Sequence, residues 1–185
     1  MKLYTVLLHY PVYNRNGDII VTSIVVHNIH DMARAGKTFG VKNLYIVQPF
    51  VQERKIAERI KKFWQTKGKK YNSNRSEAIA IVKLKESFEE VVQDIVKEEG
   101  KIPIIIGTSA QEKKDKKMVS FEKMQDVLKE DDPVLIVFGT GWGIAKPVME
   151  KINSFLPPIK GTGIFNHLSV RSAYAIILYR LTNTY

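Results

Sequence analysis

The chain has 185 residues, 44% of them hydrophobic, which suits one compact domain spanning 1–185. It contains no cysteine, which excludes disulfides, iron–sulfur clusters, zinc ribbons and thiol catalysis. Its 29 Lys and Arg residues exceed its 19 Asp and Glu residues, giving a net charge of +10, and no apolar run approaches the ~18 residues of a membrane span. We therefore expect a cytoplasmic protein that binds an anionic partner, such as nucleic acid, and does not associate with a membrane.

Apolar runs predict five strands, several of them continuous enough to be parallel strands covered on both faces. In chain order these are Tyr4–His9, Leu44–Val47, Ala78–Val82, Ile102–Ile106 and Val134–Phe138. Amphipathic helices are predicted at Asn28–Phe39, Val51–Gln65, Ser87–Glu99, Phe121–Lys129, Ala145–Asn153 and Val170–Leu181. Gly40 suits the end of the first helix, and Ser120 suits the cap of the fourth. The alternation indicates an α/β fold with a mainly parallel sheet and helices on both faces.

The second helix and the residues after it are strongly basic. Between Glu53 and Arg75 there are nine basic residues and two acidic ones. Helical spacing places one apolar stripe opposite a basic face that carries Arg54, Lys55, Arg59, Lys61 and Lys62. Such a face either binds nucleic-acid phosphates or is a solvated, lysine-rich surface, and we expect phosphate contacts.

Three loops follow predicted strands or a Pro pair: GTSA after Ile106, GTGWG after Phe138 and PIKGTGIFNH after Pro157. Ligands of parallel sheets bind at the carboxyl ends of the strands, so these loops are the candidate site. A dinucleotide fingerprint fails because Ile144 stands where its last glycine belongs. A Walker A loop fails because Asp31 stands where ARAGKT would need a glycine.

Three segments, taken together, resemble the motifs of SPOUT-class RNA methyltransferases, the α/β-knot enzymes. They are HNIHDMARAGKTFGVKNLYIVQP (27–49), PVLIVFGTGWGI (133–144) and PPIKGTGIFNHLSVRSAYAIILYRL (157–181). The first matches in Asn28, Arg34 and Phe39-Gly40-Val41, the second in the glycines after Phe138, and the third in Ile159, Gly161, Ser169 and Ala173. The chain is most similar to the tRNA guanine-N1 branch and its stand-alone relatives.

The resemblance implies an enzyme that uses S-adenosyl-L-methionine, releases S-adenosyl-L-homocysteine and acts on tRNA or rRNA. It also implies a C-terminal trefoil knot, with 139–165 threaded through a loop, and a homodimer in which one chain lends basic residues to the other's cofactor. No metal is expected, because the pair His27 and His30 has no third ligand nearby in sequence.

Four residues are candidates for catalysis: Arg34, Asn28 and Ser169, which match the family's motifs, and His167, which replaces the family's Asn but can act as a general base. The residues expected to hold the cofactor are Thr108, Ser109, Phe138, Gly139, Thr140, Gly141, Trp142, Gly143, Ile159, Gly161 and Leu168. The glycines would let the backbone approach an adenosine, and His167 would accept the proton that the acceptor loses. Asn28 and Ser169 are also candidate helix caps, and Trp142 either shields the cofactor or packs in the core.

Departures from the family pattern keep other functions open. Thr140-Gly141 stands where ribose methylases carry Glu, His167 where the family has Asn, and no Asp or Glu follows Glu150. The acceptor is therefore either a base nitrogen or a ribose hydroxyl. The alternatives are a catalytically inactive knotted RNA-binding protein and a nucleotide-binding enzyme of another class.

Overall fold

The secondary structure alternates between strands and helices in a computed structural model that describes residues 1–113, 115–163 and 165–183. The strands are β1 (Leu3–Leu8), β2 (Val12–Tyr13), β3 (Ile19–Ile20), β4 (Asn43–Val47), β5 (Val82–Lys85), β6 (Ile104–Gly107), β7 (Val134–Gly139) and β8 (Ser154–Phe155). The helices are α1 (Val26–Thr38), α2 (Val51–Gln65), α3 (Ser73–Ala80), α4 (Phe88–Glu99), α5 (Phe121–Val127), α6 (Lys146–Met149) and α7 (Val170–Thr182). A 3-10 helix, Lys67–Lys70, joins α2 to α3.

Six strands form one parallel sheet in the order β5-β4-β1-β7-β6-β8. The central strand β1 pairs with β7 from Leu3 opposite Val134 to Leu8 opposite Gly139. β2 and β3 form a separate antiparallel hairpin beyond the end of β1. The predicted α/β class with a mainly parallel sheet is confirmed.

The two faces of the sheet are covered by different helices because successive side chains of a strand point to opposite faces. Leu3 and Leu7 of β1 belong to a core shared with α1, α3, α5 and α7. Tyr4, Val6 and Leu8 belong to a second core, which includes residues of α4 and α6.

Two predicted helix ends are confirmed. Gly40 follows α1 with φ +73°, a left-handed conformation that favours glycine, and the Ser120 side chain accepts a hydrogen bond from the Lys123 backbone N–H at the start of α5. Among the described residues, no helix has both the length and the apolar character that crossing a bilayer requires.

The predicted strand Ala78–Val82 is wrong. Residues up to Ala80 belong to α3, whose first turn is capped by the Asn72 side chain, and the strand begins only at Val82. Short apolar runs do not distinguish a buried helix end from a strand. The helix predicted over Ala145–Asn153 is also too long, since α6 ends at Met149 and the short strand β8 follows.

Candidate functional site

A cavity of about 820 Å³ opens at the carboxyl ends of β1, β6, β7 and β8. The loops after those strands line it together with the start of α7. Most of the cofactor residues named from the sequence lie in its wall: Thr108, Ser109, Phe138, Gly139, Thr140, Gly141, Trp142, Gly143, Ile159 and Leu168. His167, Ser169 and Asn28 also line it. The volume lies within the ~300–1,000 Å³ typical of small-molecule sites.

Two of the named residues lie outside this wall. Gly161 belongs to the loop 157–169 but does not line the cavity, and its Cβ position would face the Phe165 carbonyl at 3.4 Å. Arg34 is exposed on α1 and lines a separate hollow with residues of α3. Within one chain, therefore, the arginine is not brought together with His167 and Ser169.

The hairpin segment holds the glycine loop after β7 in place, in addition to a hydrogen bond within the loop from the Gly143 N–H to the Thr140 carbonyl at 3.2 Å. Trp142 N–H donates to the Tyr13 carbonyl at 2.8 Å, and Tyr13 N–H donates to the Gly143 carbonyl at 2.9 Å. A Cβ on Gly141 would lie 2.7 Å from the same Tyr13 carbonyl, and Gly141 has φ +58°. A side chain at Gly141 would therefore collide with the hairpin segment, while Gly141 itself lies in the cavity wall, where the sequence places a cofactor contact.

A chain of hydrogen bonds connects the buried side chain of His9 to this loop. His9 Nδ1 lies 2.9 Å from Thr22 Oγ1, and Thr22 Oγ1 lies 2.5 Å from Thr140 Oγ1. Thr140 Oγ1 donates to the Leu8 carbonyl at 2.9 Å, which can only accept. Thr22 must then donate to Thr140, and His9 must donate from Nδ1 to Thr22. The network thus assigns the tautomer of His9, which carries its proton on Nδ1.

Burial keeps His9 neutral. Its side chain is 1% exposed, and desolvation lowers its pKa to about 4 despite the opposing charge of Glu53. A neutral, tautomer-fixed imidazole at the cavity floor therefore orients Thr22, and through it Thr140, without changing charge near neutral pH.

The loop 157–169 forms the opposite wall. Asn166 Nδ2 donates to the Ala110 carbonyl at 2.9 Å, which joins this loop to the one after β6. His167 is exposed and its ring lies 5.4 Å from that of Phe165. Trp142 is 65% exposed, so the alternative that it packs in the core is wrong. Ile164, within the same loop, lies outside the described residues.

The start of α7 faces the start of α1 across the cavity mouth. Ser169 caps α7, as predicted, by accepting a hydrogen bond from the Ser172 N–H at 3.3 Å. Asn28 does not cap α1, which begins at Val26; it is buried inside the helix, and its Oδ1 accepts from Arg171 Nη1 at 3.4 Å. Arg171 Nε also lies 3.4 Å from Asp31 Oδ2.

Among the described residues that line the cavity there is no carboxylate, whereas Lys113 and Arg171 are cationic. Two hydroxyls of the loop after β6 belong to the polar lining. Thr108 Oγ1 donates to the Val137 carbonyl at 2.8 Å, and Ser109 Oγ accepts from Gln111 N–H at 3.1 Å. Both oxygens keep lone pairs for a ligand. The lining therefore carries positive charge, of which Asp31 compensates the part on Arg171, and an acceptor's proton has no carboxylate of the lining to receive it.

The predicted basic face of α2 is divided in two. Arg54 Nη1 donates to the Gln48 and Pro49 carbonyls at 2.6 and 2.7 Å, and Lys61 Nζ donates to the Val82 carbonyl at 2.5 Å. Burial lowers the pKa of Lys61. These two side chains are committed within the fold, whereas Lys55, Arg59 and Lys62 are exposed.

Sequence reasoning missed His9, Thr22 and Arg171 as cavity residues. Arg171 stands inside the matched third segment, so its charge at a helix start was an available signal, since a cation is disfavoured at a helix N-terminus. His9 directly follows a strand, which is where parallel sheets place functional side chains. Nothing near Thr22 in the sequence indicated its role, because both of its partners lie outside its own segment.

Comparison with known proteins identifies the family of this chain. The profile of a family described as SAM-dependent RNA methyltransferase matches residues 2–183. An uncharacterised protein of Aquifex aeolicus is 40% identical over 97% of this chain and 88% of its own length. A tRNA (guanine-N(1)-)-methyltransferase of Nitratidesulfovibrio vulgaris is 34% identical over 97% of this chain, which spans 42% of that relative.

A solved structure has the same fold. The SpoU methyltransferase AviRb from Streptomyces viridochromogenes, in complex with the cofactor AdoMet, aligns with a TM-score of 0.56 at 16% identity, over 98% of this chain and 57% of that one. The matching profile covers nearly the whole chain. This chain therefore belongs to the family of S-adenosylmethionine-dependent RNA methyltransferases.

Proposed function

We propose that the protein transfers a methyl group from S-adenosyl-L-methionine to a guanine ring nitrogen of tRNA, in the cytoplasm, and releases S-adenosyl-L-homocysteine. The observation that carries the proposal is the cavity at the carboxyl ends of four strands, lined by most of the residues of the second and third motifs. The guanine-N1 specificity follows the name of the 34% identical relative, of which this chain spans 42%.

The cavity wall fits the cofactor chemically. We assign the adenine to the space between Ile159 and Leu168, which are partly exposed apolar side chains of the loop 157–169. The hydroxyls of Thr108 and Ser109 accept hydrogen bonds from the cofactor's polar groups. Lys113 or Arg171 pairs with its carboxylate, since both are cationic and line the cavity. The bound cofactor supplies a methyl group already activated on a sulfonium.

The chain's own task is then to align the acceptor, exclude water and receive one proton. The acceptor N–H loses its proton as the new bond to the methyl carbon forms. We assign the proton to His167, which is exposed in the cavity wall and stands where no carboxylate lines the site. Ser169, whose Oγ caps α7, lies two residues away and holds this turn in place.

We further propose that the protein works as a homodimer. Val25, Val26 and Ile176 are 44%, 41% and 37% exposed on or beside α1 and α7, two helices that pack against each other, and a second copy would cover them. Arg34 does not line its own chain's cavity, so its role in the reaction requires that it enter the site of the second copy.

The test separates binding from chemistry. Calorimetry should detect S-adenosylhomocysteine bound at one site per chain, and labelled S-adenosylmethionine should transfer methyl groups to tRNA from a strain that lacks this protein. Nucleoside analysis of that tRNA should identify 1-methylguanosine. Cofactor binding with no transfer to any RNA would instead support the inactive RNA-binding alternative, and methylation of rRNA alone would overturn the tRNA assignment.

A further inference from the structure

The turn between α2 and α3 concentrates positive charge. Residues 62–75 include five basic side chains and no Asp or Glu. Lys67, Lys69 and Lys70 lie in the 3-10 helix that forms the turn, and all three are exposed. We call residues 67–75 the lysine turn.

An exposed aromatic ring stands at the centre of the lysine turn. Tyr71 is 83% exposed, the highest value among the exposed large hydrophobic side chains of the described chain. Its backbone is nevertheless fixed, because the N–H groups of Tyr71 and Asn72 both donate to the Gly68 carbonyl at 3.0 Å. The Asn72 side chain then caps α3 by accepting from Arg75 N–H at 2.9 Å. The turn therefore presents a bare ring from an ordered backbone.

Trp64 holds the turn against α2. A Cβ on Gly68 would lie 2.6 Å from the Trp64 ring, so only glycine permits this approach. The guanidinium carbon of Arg75 lies 4.7 Å from the centre of the same ring, on the other side of the turn in sequence. His30 of α1 meets the Trp64 ring edge to face at 5.8 Å. Through His30 the turn packs on the helix whose Asn28 lines the cavity.

A polar hollow of about 430 Å³ lies beside the turn. Its lining includes Arg34, Lys37, Asn72, Asn74, Arg75 and Glu77. Glu77 supplies the carboxylate of that lining, and its Oε1 lies 3.1 Å from Lys37 Nζ. Because these two charges cancel, Arg34 and Arg75 give the hollow a net positive charge. Arg75 is partly exposed, and although its Nε is buried against the Trp64 ring, its guanidinium adds positive charge to the hollow.

We propose that the lysine turn docks a single-stranded stretch of the RNA substrate, with one base stacked on Tyr71 and phosphates bound by Lys67, Lys69, Lys70 and the Arg75 side of the polar hollow. The proposal rests on the RNA substrate of the proposed function. An exposed aromatic ring between cationic side chains is typical of sites that bind single-stranded nucleic acid. Any base can stack on the ring, while the lysines bind the phosphates of the nucleic-acid backbone. A duplex would keep its bases stacked on each other and leave the ring without a partner.

The test measures binding of a labelled single-stranded RNA, about a dozen nucleotides long, by fluorescence anisotropy at several salt concentrations. Tyr71→Ala should weaken binding roughly 5- to 150-fold, the range that loss of one stacked base gives, whereas Tyr71→Phe should bind like the unchanged protein. Replacing Lys67, Lys69 and Lys70 by Gln should lower the slope of log affinity against log salt by about 2.

A charge-matched control replaces Lys97, Lys123 and Lys129, which are exposed on or beside α4 and α5 outside the turn, by Gln. This control should change the slope by much less, and every variant should bind S-adenosylhomocysteine normally. Equal effects of the two triple variants, or an unchanged affinity in Tyr71→Ala, would overturn the proposal. So would equal loss of duplex and single-strand binding in Tyr71→Ala. Failure of the proposed function is distinguishable, because it would abolish methyl transfer while leaving these differences in RNA binding.

Discussion

The hydroxyls of Thr22 and Thr140 meet at 2.5 Å, although the two residues are 118 positions apart in the chain. Thr22 also accepts a hydrogen bond from His9 Nδ1, so it is the middle member of a partly buried chain of hydrogen bonds that ends at the Leu8 carbonyl. The protein is an S-adenosylmethionine-dependent RNA methyltransferase. The glycine loop of its candidate cofactor cavity is thus held by residues that precede α1 in the chain.

Removing the middle hydroxyl should loosen that loop. Thr22→Val keeps the side-chain shape but leaves His9 Nδ1 without an acceptor, which costs about 1–3 kcal/mol. We expect calorimetry to show about 2- to 12-fold weaker binding of S-adenosylhomocysteine, because ordering the loosened loop around the ligand would cost about half of that amount. Thr22→Ser, which retains the hydroxyl, should bind normally. Equal affinities for Val and Ser would mean that the chain of hydrogen bonds does not support the cavity.

The stability of the fold should depend on pH through His9. Its folded pKa, about 4, lies below its ordinary value, so the unfolded chain takes up the proton first as the pH falls. The stabilisation is complete above the ordinary pKa of ~6.5 and is lost between there and pH 4. From pH 7 to pH 5 the free energy of unfolding should drop by about 2 kcal/mol.

Urea unfolding of His9→Gln, which cannot titrate at this position, provides the reference for that effect. His30, whose pKa is also lowered by burial and by Arg75, is present in both proteins and cancels in the comparison. The variant should be less stable at pH 7 and lose less stability on acidification. Parallel pH profiles for the two proteins would contradict a buried, neutral His9.

Alanine substitutions at two glycines with positive φ can distinguish the cost of backbone strain from the cost of a steric clash. Gly17 and Gly141 have φ +88° and +58°, but a Cβ on Gly17 would have nothing within 4 Å, whereas one on Gly141 would meet the Tyr13 carbonyl at 2.7 Å. Gly17→Ala should cost only about 1–2 kcal/mol of stability and leave cofactor affinity unchanged. Gly141→Ala should push the loop off the hairpin and weaken S-adenosylhomocysteine binding at least tenfold. If both variants bind equally well, the contact with Tyr13 is not what shapes the loop.

Packing of α1 on α7 should depend on Gly36. A Cβ there would lie 2.6 Å from the Tyr174 hydroxyl, which shares a 3.0 Å hydrogen bond with Thr5. Gly36→Ala should therefore destabilise the protein by about 1–3 kcal/mol, as overpacking of a core does. Tyr174→Phe removes the crowded oxygen, so the double variant should lose less than the sum of the two single changes in a denaturant titration. Strict additivity would contradict the clash.

A mixed dimer can test whether Arg34 acts across chains. Arg34→Ala and His167→Ala should each abolish methyl transfer, Arg34→Ala without loss of cofactor affinity. If Arg34 enters the second copy's site, a dimer with one chain of each variant contains one intact site and one lacking both residues. Purified mixed dimers should then recover about half of the normal turnover, the fraction of sites left intact. An inactive mixed dimer would place both residues in the site of one chain.

The sequence predicted the layers of the fold better than its small elements. The β2–β3 hairpin was missed because two-residue strands leave no periodic pattern, although Asn16-Gly17 is a turn signal between them. The same shortness concealed β8. The apolar run Ala78–Val82 was misread because the cap that starts α3, at Asn72, lies well upstream of it.

For the site, the sequence located the loops but not what supports them. Gly139 to Gly143 and the residues from Ile159 to Ser169 were identified because their order and spacing match a family. The buried link from His9 to Thr140 depends on a sheet register that brings Leu8 beside Gly139, and no local pattern encodes that register. The trefoil knot over 139–165 stays a prediction of the resemblance.

The pairing of β1 with β7 also constrains how the protein is made. β1 cannot pair with β7 until Val134 has been synthesised, because Leu3 and Val134 are register partners. Contacts this distant in sequence form slowly, because closing the long intervening loop costs conformational entropy before the contacts can offset it. On the ribosome, β1 therefore emerges long before β7 is synthesised, and the edge of β1 that pairs with β7 stays open to non-native contacts until then.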